Sequence, residues 1–170
     1  MDLKSYIRDI ADFPKEGIIF KDITPLLQDP EAFEYVIDSF YKSLKDKGID
    51  AIVSVEARGF IFGAPLALRL GCSFVPVRKP GKLPYKTIQE TYEKEYGPDT
   101  LCMHEDALKS GDKVAIVDDL LATGGTIEAT AKLVEKLGAS VEEILFAIEL
   151  DFLKGREKLT SYDITSLMHF

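Results

Sequence analysis

Residues 114–126, Val-Ala-Ile-Val-Asp-Asp-Leu-Leu-Ala-Thr-Gly-Gly-Thr, constrain the fold more than any other stretch of the chain. Four apolar residues suit a buried strand. Two carboxylates, Asp118 and Asp119, sit at its carboxyl end. A small, Gly-rich turn then opens onto a helical pattern over residues 126–137, which Gly138 stops. A strand that runs through a Gly-rich turn into a helix is half of a βαβ unit. Such a turn forms an anion cup, because free amides at a helix N-terminus point outward and glycines let the backbone approach closely. Thr123 and Thr126 add hydroxyl donors, and the carboxylates are placed to accept hydrogen bonds from sugar hydroxyls. Gly-Gly alone reads more readily as a tight turn, and Asp-Asp alone can be only a cap. Two adjacent acids at the end of an apolar strand are costly, however, unless something binds there. The segment is neither GxGxxG nor Walker A, since no Gly-Lys-Ser/Thr follows.

The rest of the chain repeats this rhythm. A helix is predicted over residues 30–47, with Asp29 as N-cap, Pro30 at the first helical position and Gly48 past the end. Phe33, Val36, Ile37, Phe40, Tyr41 and Leu44 form its apolar stripe. Short apolar strands follow at 51–55, 73–77, 113–117 and 141–148, with a second helix over 62–70 ending at Gly71. This alternation predicts an α/β fold, a mainly parallel central sheet flanked by helices. The 170 residues suit a single domain around one core.

Two regions break the alternation. Residues 11–28 are apolar but too punctuated for one element. Residues 78–105 are polar, with Gly and Pro at both ends, and residues 86–92 alternate like an exposed hairpin arm. Its position just after a strand favours function, since ligands bind beyond the carboxyl ends of the strands.

Composition closes off several classes. Apolar residues make up 46% and charged residues 29%, a globular balance, and no stretch approaches the ~20 apolar residues of a bilayer span. Residues 1–5 are polar and lack a signal-peptide core. Cys72 and Cys102 read as plain thiols of a reducing cytoplasmic compartment. The net charge of −8 disfavours nucleic-acid binding, although it permits a small anion held by local cations and amides. Tyr85, Tyr92 and Tyr96 therefore do not read as a base-stacking platform. His104 and His169 read as structural or surface residues.

The 114–126 segment resembles the phosphoribosyl pyrophosphate signature of type I phosphoribosyltransferases, and further segments resemble the branch that acts on adenine. Asp12-Phe13-Pro14 and residues 17–25 resemble its adenine-binding hood. Glu56-Ala57-Arg58-Gly59-Phe60 resembles its pyrophosphate loop. Residues 78–84 and 93–97 resemble the two sides of its mobile catalytic loop, and residues 149–150 and 153–159 its C-terminal segment. The matches run through nearly the whole chain in order. Ala122 stands where 6-oxopurine enzymes carry an aspartate, and Lys21 stands where the hood often has arginine.

The resemblance implies one phosphoribosyltransferase domain over residues 1–170, with residues 1–28 in a small hood that the C-terminal segment completes, and residues 78–105 as a mobile catalytic hairpin. It implies transfer of the phosphoribosyl group of phosphoribosyl pyrophosphate to adenine, giving AMP and pyrophosphate, in a homodimer. Magnesium would be held through substrate oxygens and water, so no protein ligand is named. Ala122, Thr123, Gly124, Gly125 and Thr126 would hold the 5′-phosphate, and Asp118 and Asp119 the ribose. Ala57, Arg58 and Gly59 would cradle pyrophosphate after a cis Glu56–Ala57 peptide. Arg78, Lys79 and Lys82 would add charge there, where a solvated loop is the plain alternative. Ile19, Phe20 and Leu150 would form the base pocket, with Lys21 near it. Glu95 would be the acid/base. Spacing alone does not separate Glu95 from Glu93; the match to Glu-Tyr-Gly selects Glu95. A xanthine or guanine enzyme, a nucleic-acid-binding regulator on the same fold and a generic nucleotide binder are the competing readings.

Overall fold

The computed structural model describes residues 1–94 and 96–170. The chain divides into two compact units, Met1–Ser39 and Phe40–Phe170. In the first, β1 (Arg8–Ala11) and β2 (Ile19–Asp22) form an antiparallel hairpin in which Ala11 faces Ile19 and Arg8 faces Asp22. The short helix α1 (Thr24–Gln28) and most of α2 (Pro30–Leu44) follow. Asp29 caps α2 as its sequence suggests: Oδ1 accepts the Ala32 amide at 2.9 Å.

The second unit is built on a five-stranded, all-parallel sheet of β3 (Ala51–Val55), β4 (Ser73–Val77), β7 (Lys113–Leu121), β8 (Ser140–Glu149) and β9 (Ile164–His169), in the order β4-β3-β7-β8-β9. Helix α3 (Arg58–Leu70) connects β3 to β4, and α4 (Gly125–Lys136) connects β7 to β8. Between β4 and β7 the chain leaves the sheet as an antiparallel arm of β5 (Thr87–Lys94) and β6 (Gly97–His104), which packs against α4. The central strand β3 is buried along its whole length and β7 and β8 over most of theirs, as in a sheet covered on both faces. Val53, Val75, Ile116, Ile144 and Phe146 are buried in one core with Leu133 and Val134 of α4. The predicted mainly parallel α/β architecture is thus the one observed.

Three expectations need correction. Helix α3 begins at Arg58 rather than residue 62, because the first turn draws on residues that look like loop. Strand β7 continues to Leu121 instead of ending at residue 117. Its pairing with β3 ends at Ser54–Val117, but its pairing with β8 runs on to Leu121–Glu149. Asp118 and Asp119 therefore lie within the strand, on the part that has lost its β3 neighbour. The polar insertion also forms regular strands over a longer span than its alternating centre suggests. The sequence pattern does not reveal β1, β2, α1 or β9.

Candidate active site

Chain direction reverses across the sheet at β3 and β7. From β3 the connection runs outward to β4; from β7 it runs the other way to β8. The crevice at such a switch point, outside the carboxyl ends of the strands, is the usual ligand site of an open α/β sheet. Here it holds a cavity of about 260 Å³. Both α3 and α4 begin at its rim, so two sets of first-turn amides without helical acceptors border it.

Ala57, Arg58, Asp118, Asp119, Ala122, Thr123, Gly124 and Thr126 all line this cavity. Glu56–Ala57 is a cis peptide, as the resemblance implies. Gly124 caps α4 in the left-handed region at φ +90°. A Cβ there would meet the Gly155 carbonyl oxygen at 2.6 Å, so the turn and the C-terminal segment press together backbone to backbone. Gly59 has a comparable role on the other rim: a Cβ would fall 2.7 Å from Asp118 Oδ1.

The two carboxylates are electrostatically distinct. Asp118 Oδ1 accepts the Asp119 amide at 2.8 Å. Burial, and then the negative charge of Asp119, push the Asp118 carboxyl well above the usual carboxylate range, against the pull of Arg58. Asp119 is buried, and its Oδ2 lies 2.6 Å from Arg58 Nη2 without an aligned hydrogen bond.

The other cations are held by acids. Glu56, on the cavity wall, accepts Arg78 Nε at 3.2 Å, the Lys79 amide at 2.8 Å and Lys82 Nζ. Burial raises its pKa, but these donors together outweigh burial and hold it below the usual value. Lys79 Nζ contacts Asp99, which Lys94 also approaches at 2.6 Å. The family resemblance implies no role for Glu56 or Asp99. In sequence Glu56 has only Arg58 close by and Asp99 only Lys94, so nothing local signals either role.

The remaining predicted residues fall elsewhere. Gly125 lines a second, outer cavity of about 360 Å³ with Tyr92, Lys158 and the two threonines of the cup. Leu150 opens a short 3-10 turn after β8 and is partly buried. In the first unit, Ile19 is exposed, Phe20 packs edge-on against Phe13 at 5.1 Å, and Lys21 Nζ bonds Asp9 at 2.7 Å. Glu95 lies outside the described residues.

Ligand atoms of Glu149, Asp151 and His169 come within 4.8 Å of one another. Arg156, however, already forks Glu149 through Nε at 2.7 Å and Nη2 at 2.9 Å, and Ser166 adds a third donor. That acid is thereby engaged by structural donors.

A phosphoribosyl transferase domain model matches residues 23–167, which gives the class that this sheet and cup define. The chain is 60% identical over 170 residues to the adenine phosphoribosyltransferase of Clostridium botulinum strain Hall, covering all of this chain and 99% of that one. The crystal structure of the adenine phosphoribosyltransferase from Thermoanaerobacter pseudethanolicus superposes with a TM-score of 0.96 at 60% identity, over 99% of this chain and 98% of that one. The Saccharomyces cerevisiae enzyme, solved with an imino-altritol bisphosphate and adenine, gives 0.92 at 46% identity over 98% and 96%. The chain belongs to the adenine phosphoribosyltransferase family.

Proposed function

We propose that the switch-point cavity carries out the reaction for which the family is named: the phosphoribosyl group moves from phosphoribosyl pyrophosphate to adenine, N9 of the base bonds to the anomeric carbon, and the bond to pyrophosphate breaks. The observation that carries this is the placement of a carboxylate pair, Asp118 and Asp119, between two helix N-termini in one cavity. The 5′-phosphate sits in the cup of Ala122, Thr123, Gly124, Gly125 and Thr126, where amides and hydroxyls donate to its oxygens. Asp118 and Asp119 accept from the ribose hydroxyls. Ala57, Arg58 and Gly59 receive pyrophosphate, with Arg78, Lys79 and Lys82 supplying further charge.

Positive charge builds on the ribose ring as the leaving group departs, so positioning and electrostatics do more here than a nucleophile would. The two acids lie beside that charge. Ile19, Phe20, Lys21 and Leu150 are the residues assigned to adenine, Phe20 offering an aromatic face, and Glu95 exchanges a proton at its N7. The donor set fits magnesium that arrives on the substrate: the cavity offers two adjacent carboxylates, and the group of three ligands found among the described residues does not line it. When bound, magnesium neutralises pyrophosphate charge. Among the described residues no helix is long and apolar enough to cross a membrane. Cys72 and Cys102 are free. Both fit a cytoplasmic setting. A homodimer is part of this reading, and light scattering at assay concentration tests it: a fully active monomer overturns it.

The decisive assay supplies magnesium, phosphoribosyl pyrophosphate and each free purine in turn and identifies the nucleotide. AMP from adenine is expected. Turnover of hypoxanthine or guanine with none of adenine overturns the assignment.

A further inference from the structure

We propose that Tyr92 is a positioning residue, whose hydroxyl directs the Thr126 hydroxyl proton toward the 5′-phosphate and ties the β5–β6 arm to the phosphate cup. This rests on the cup reading above. Tyr92 projects from β5 onto the start of α4, where its hydroxyl lies 3.0 Å from Thr126 Oγ1. Its ring lies against Gly125: a Cβ at that position would meet Tyr92 Cδ2 at 3.3 Å. The ring also packs on the hydrophobic core of the sheet, so it is not a loose side chain on a polar arm. Lys136, at the other end of α4, donates to the Gln89 carbonyl at 2.7 Å and pairs with Glu90. The arm is thus fastened at both ends of the same helix, and its Tyr92 end lines the outer cavity beside the cup.

Proton counting gives the contact its direction. A threonine hydroxyl carries one proton and two acceptor lone pairs. If it donates to phosphate, it is free only to accept from Tyr92. The phenol proton then points at Thr126 Oγ1 and leaves the threonine proton for the anion. The Tyr92 hydroxyl also lies 3.5 Å from Asp99 Oδ2, the carboxylate that holds Lys79 and Lys94. Asp99 is therefore a competing acceptor for the single Tyr92 proton, and the shorter 3.0 Å contact favours Thr126.

The test is steady-state kinetics of Tyr92→Phe, Thr126→Val and the double variant, with thermal unfolding of each. Removing one neutral hydrogen bond is worth a few-fold to about tenfold in binding. Tyr92→Phe should raise KM for phosphoribosyl pyrophosphate by roughly 3- to 10-fold, leave KM for adenine within about twofold, and leave Tm nearly unchanged because the ring stays in place. In the Thr126→Val background the same substitution should have no further effect, since the two act as one unit. If Thr126→Val leaves phosphoribosyl pyrophosphate binding intact, the cup reading itself fails. If Thr126→Val weakens it but Tyr92→Phe does not, only the positioning role fails. A Tyr92→Phe variant in which both KM values rise together with a lowered Tm also overturns that role, because packing alone then explains it.

Discussion

Arg58 Nη2 and Asp119 Oδ2 lie 2.6 Å apart, so a cation proposed for pyrophosphate and an anion proposed for ribose neutralise each other across the cavity. Asp119 is buried and Arg58 about one-third exposed. Substrate must therefore replace one ion pair with two sets of contacts. Asp119→Asn keeps the shape and removes the charge-assisted acceptor. Such bonds are worth about 1.5–3 kcal/mol, which predicts a fall of roughly 10- to 150-fold in kcat/KM for phosphoribosyl pyrophosphate. Wild-type kinetics in this variant would remove Asp119 from the ribose site.

Gly59 supplies a second test, in which helix propensity and site geometry predict opposite signs. In an ordinary helix interior, Gly→Ala stabilises by about 0.5–1 kcal/mol. Here the new methyl would lie 2.7 Å from Asp118 Oδ1 and 3.3 Å from the Val117 carbonyl oxygen. Gly59→Ala should lower Tm and turnover together, as measured by thermal unfolding and initial rates. A raised Tm with full activity would show that β7 yields easily to α3.

Two acids on neighbouring strands, Asp118 of β7 and Glu149 of β8, predict opposite pH behaviour. Asp118 has a raised pKa, first from burial and then from Asp119, so the folded state holds its proton more tightly than the unfolded chain does. Its neutral form stabilises the fold fully below the unfolded value near ~3.9, and stability falls as pH climbs from there to the raised value. Asp118→Asn imitates the neutral form. It should raise Tm at neutral pH, and this gain should vanish below the unfolded value. A gain of the same size at acid and neutral pH would point to packing instead.

Glu149 has the opposite sign. Burial pushes its pKa up, but Arg156, Ser166 and the charge of His169 outweigh burial and lower it. Its pairing therefore contributes stability above the unfolded carboxylate value, and that stability is lost as pH falls through the lowered folded value. Arg156→Ala should cost about 1.5–3 kcal/mol at neutral pH, less than a fully buried pair would, because the guanidinium is nearly half exposed. Denaturant unfolding should show that cost shrinking in acid. Arg156→Lys should recover only part of it, since an ammonium cannot fork a carboxylate.

Sequence carried the sheet because buried parallel strands are continuous apolar runs, and residues 51–55 and 73–77 match β3 and β4 residue for residue. It missed the first turn of α3 because Arg58-Gly59 is a poor helix start by propensity, and the structure uses the glycine for close approach instead. It missed β9, whose Ile164 to His169 alternation is weak and whose pairing with β8 is entirely non-local. The cup and the acid pair were legible because local spacing creates them. The ties of Glu56, Asp99 and Tyr92 were not, since each joins segments that only the tertiary fold brings together.

The last prediction concerns the proton at adenine N7. Glu95 lies outside the described residues, and its neighbours in the chain, Glu93 and Lys94, are described. Lys94 turns back onto Asp99 and lies 5.7 Å from the Tyr92 ring centroid, and its pKa is raised chiefly by Asp99. Glu93 lines the outer cavity beside Lys94 and Tyr96, on the side of Thr123 and Thr126. In the proposed reaction a carboxylate beside the purine exchanges a proton with N7 while N9 attacks. General acid/base catalysis contributes ~10²–10⁴-fold. Glu95→Gln should therefore lower kcat by that order with little change in phosphoribosyl pyrophosphate affinity, while Glu93→Gln changes kcat less than about threefold, as expected of a solvated charge. Single-turnover kinetics separate the chemical step from product release. If the two substitutions cause the same mild slowing, the arm shields the site and contributes no proton. If Glu93→Gln alone abolishes the chemical step, the acid/base lies two residues earlier than the Glu-Tyr-Gly match places it.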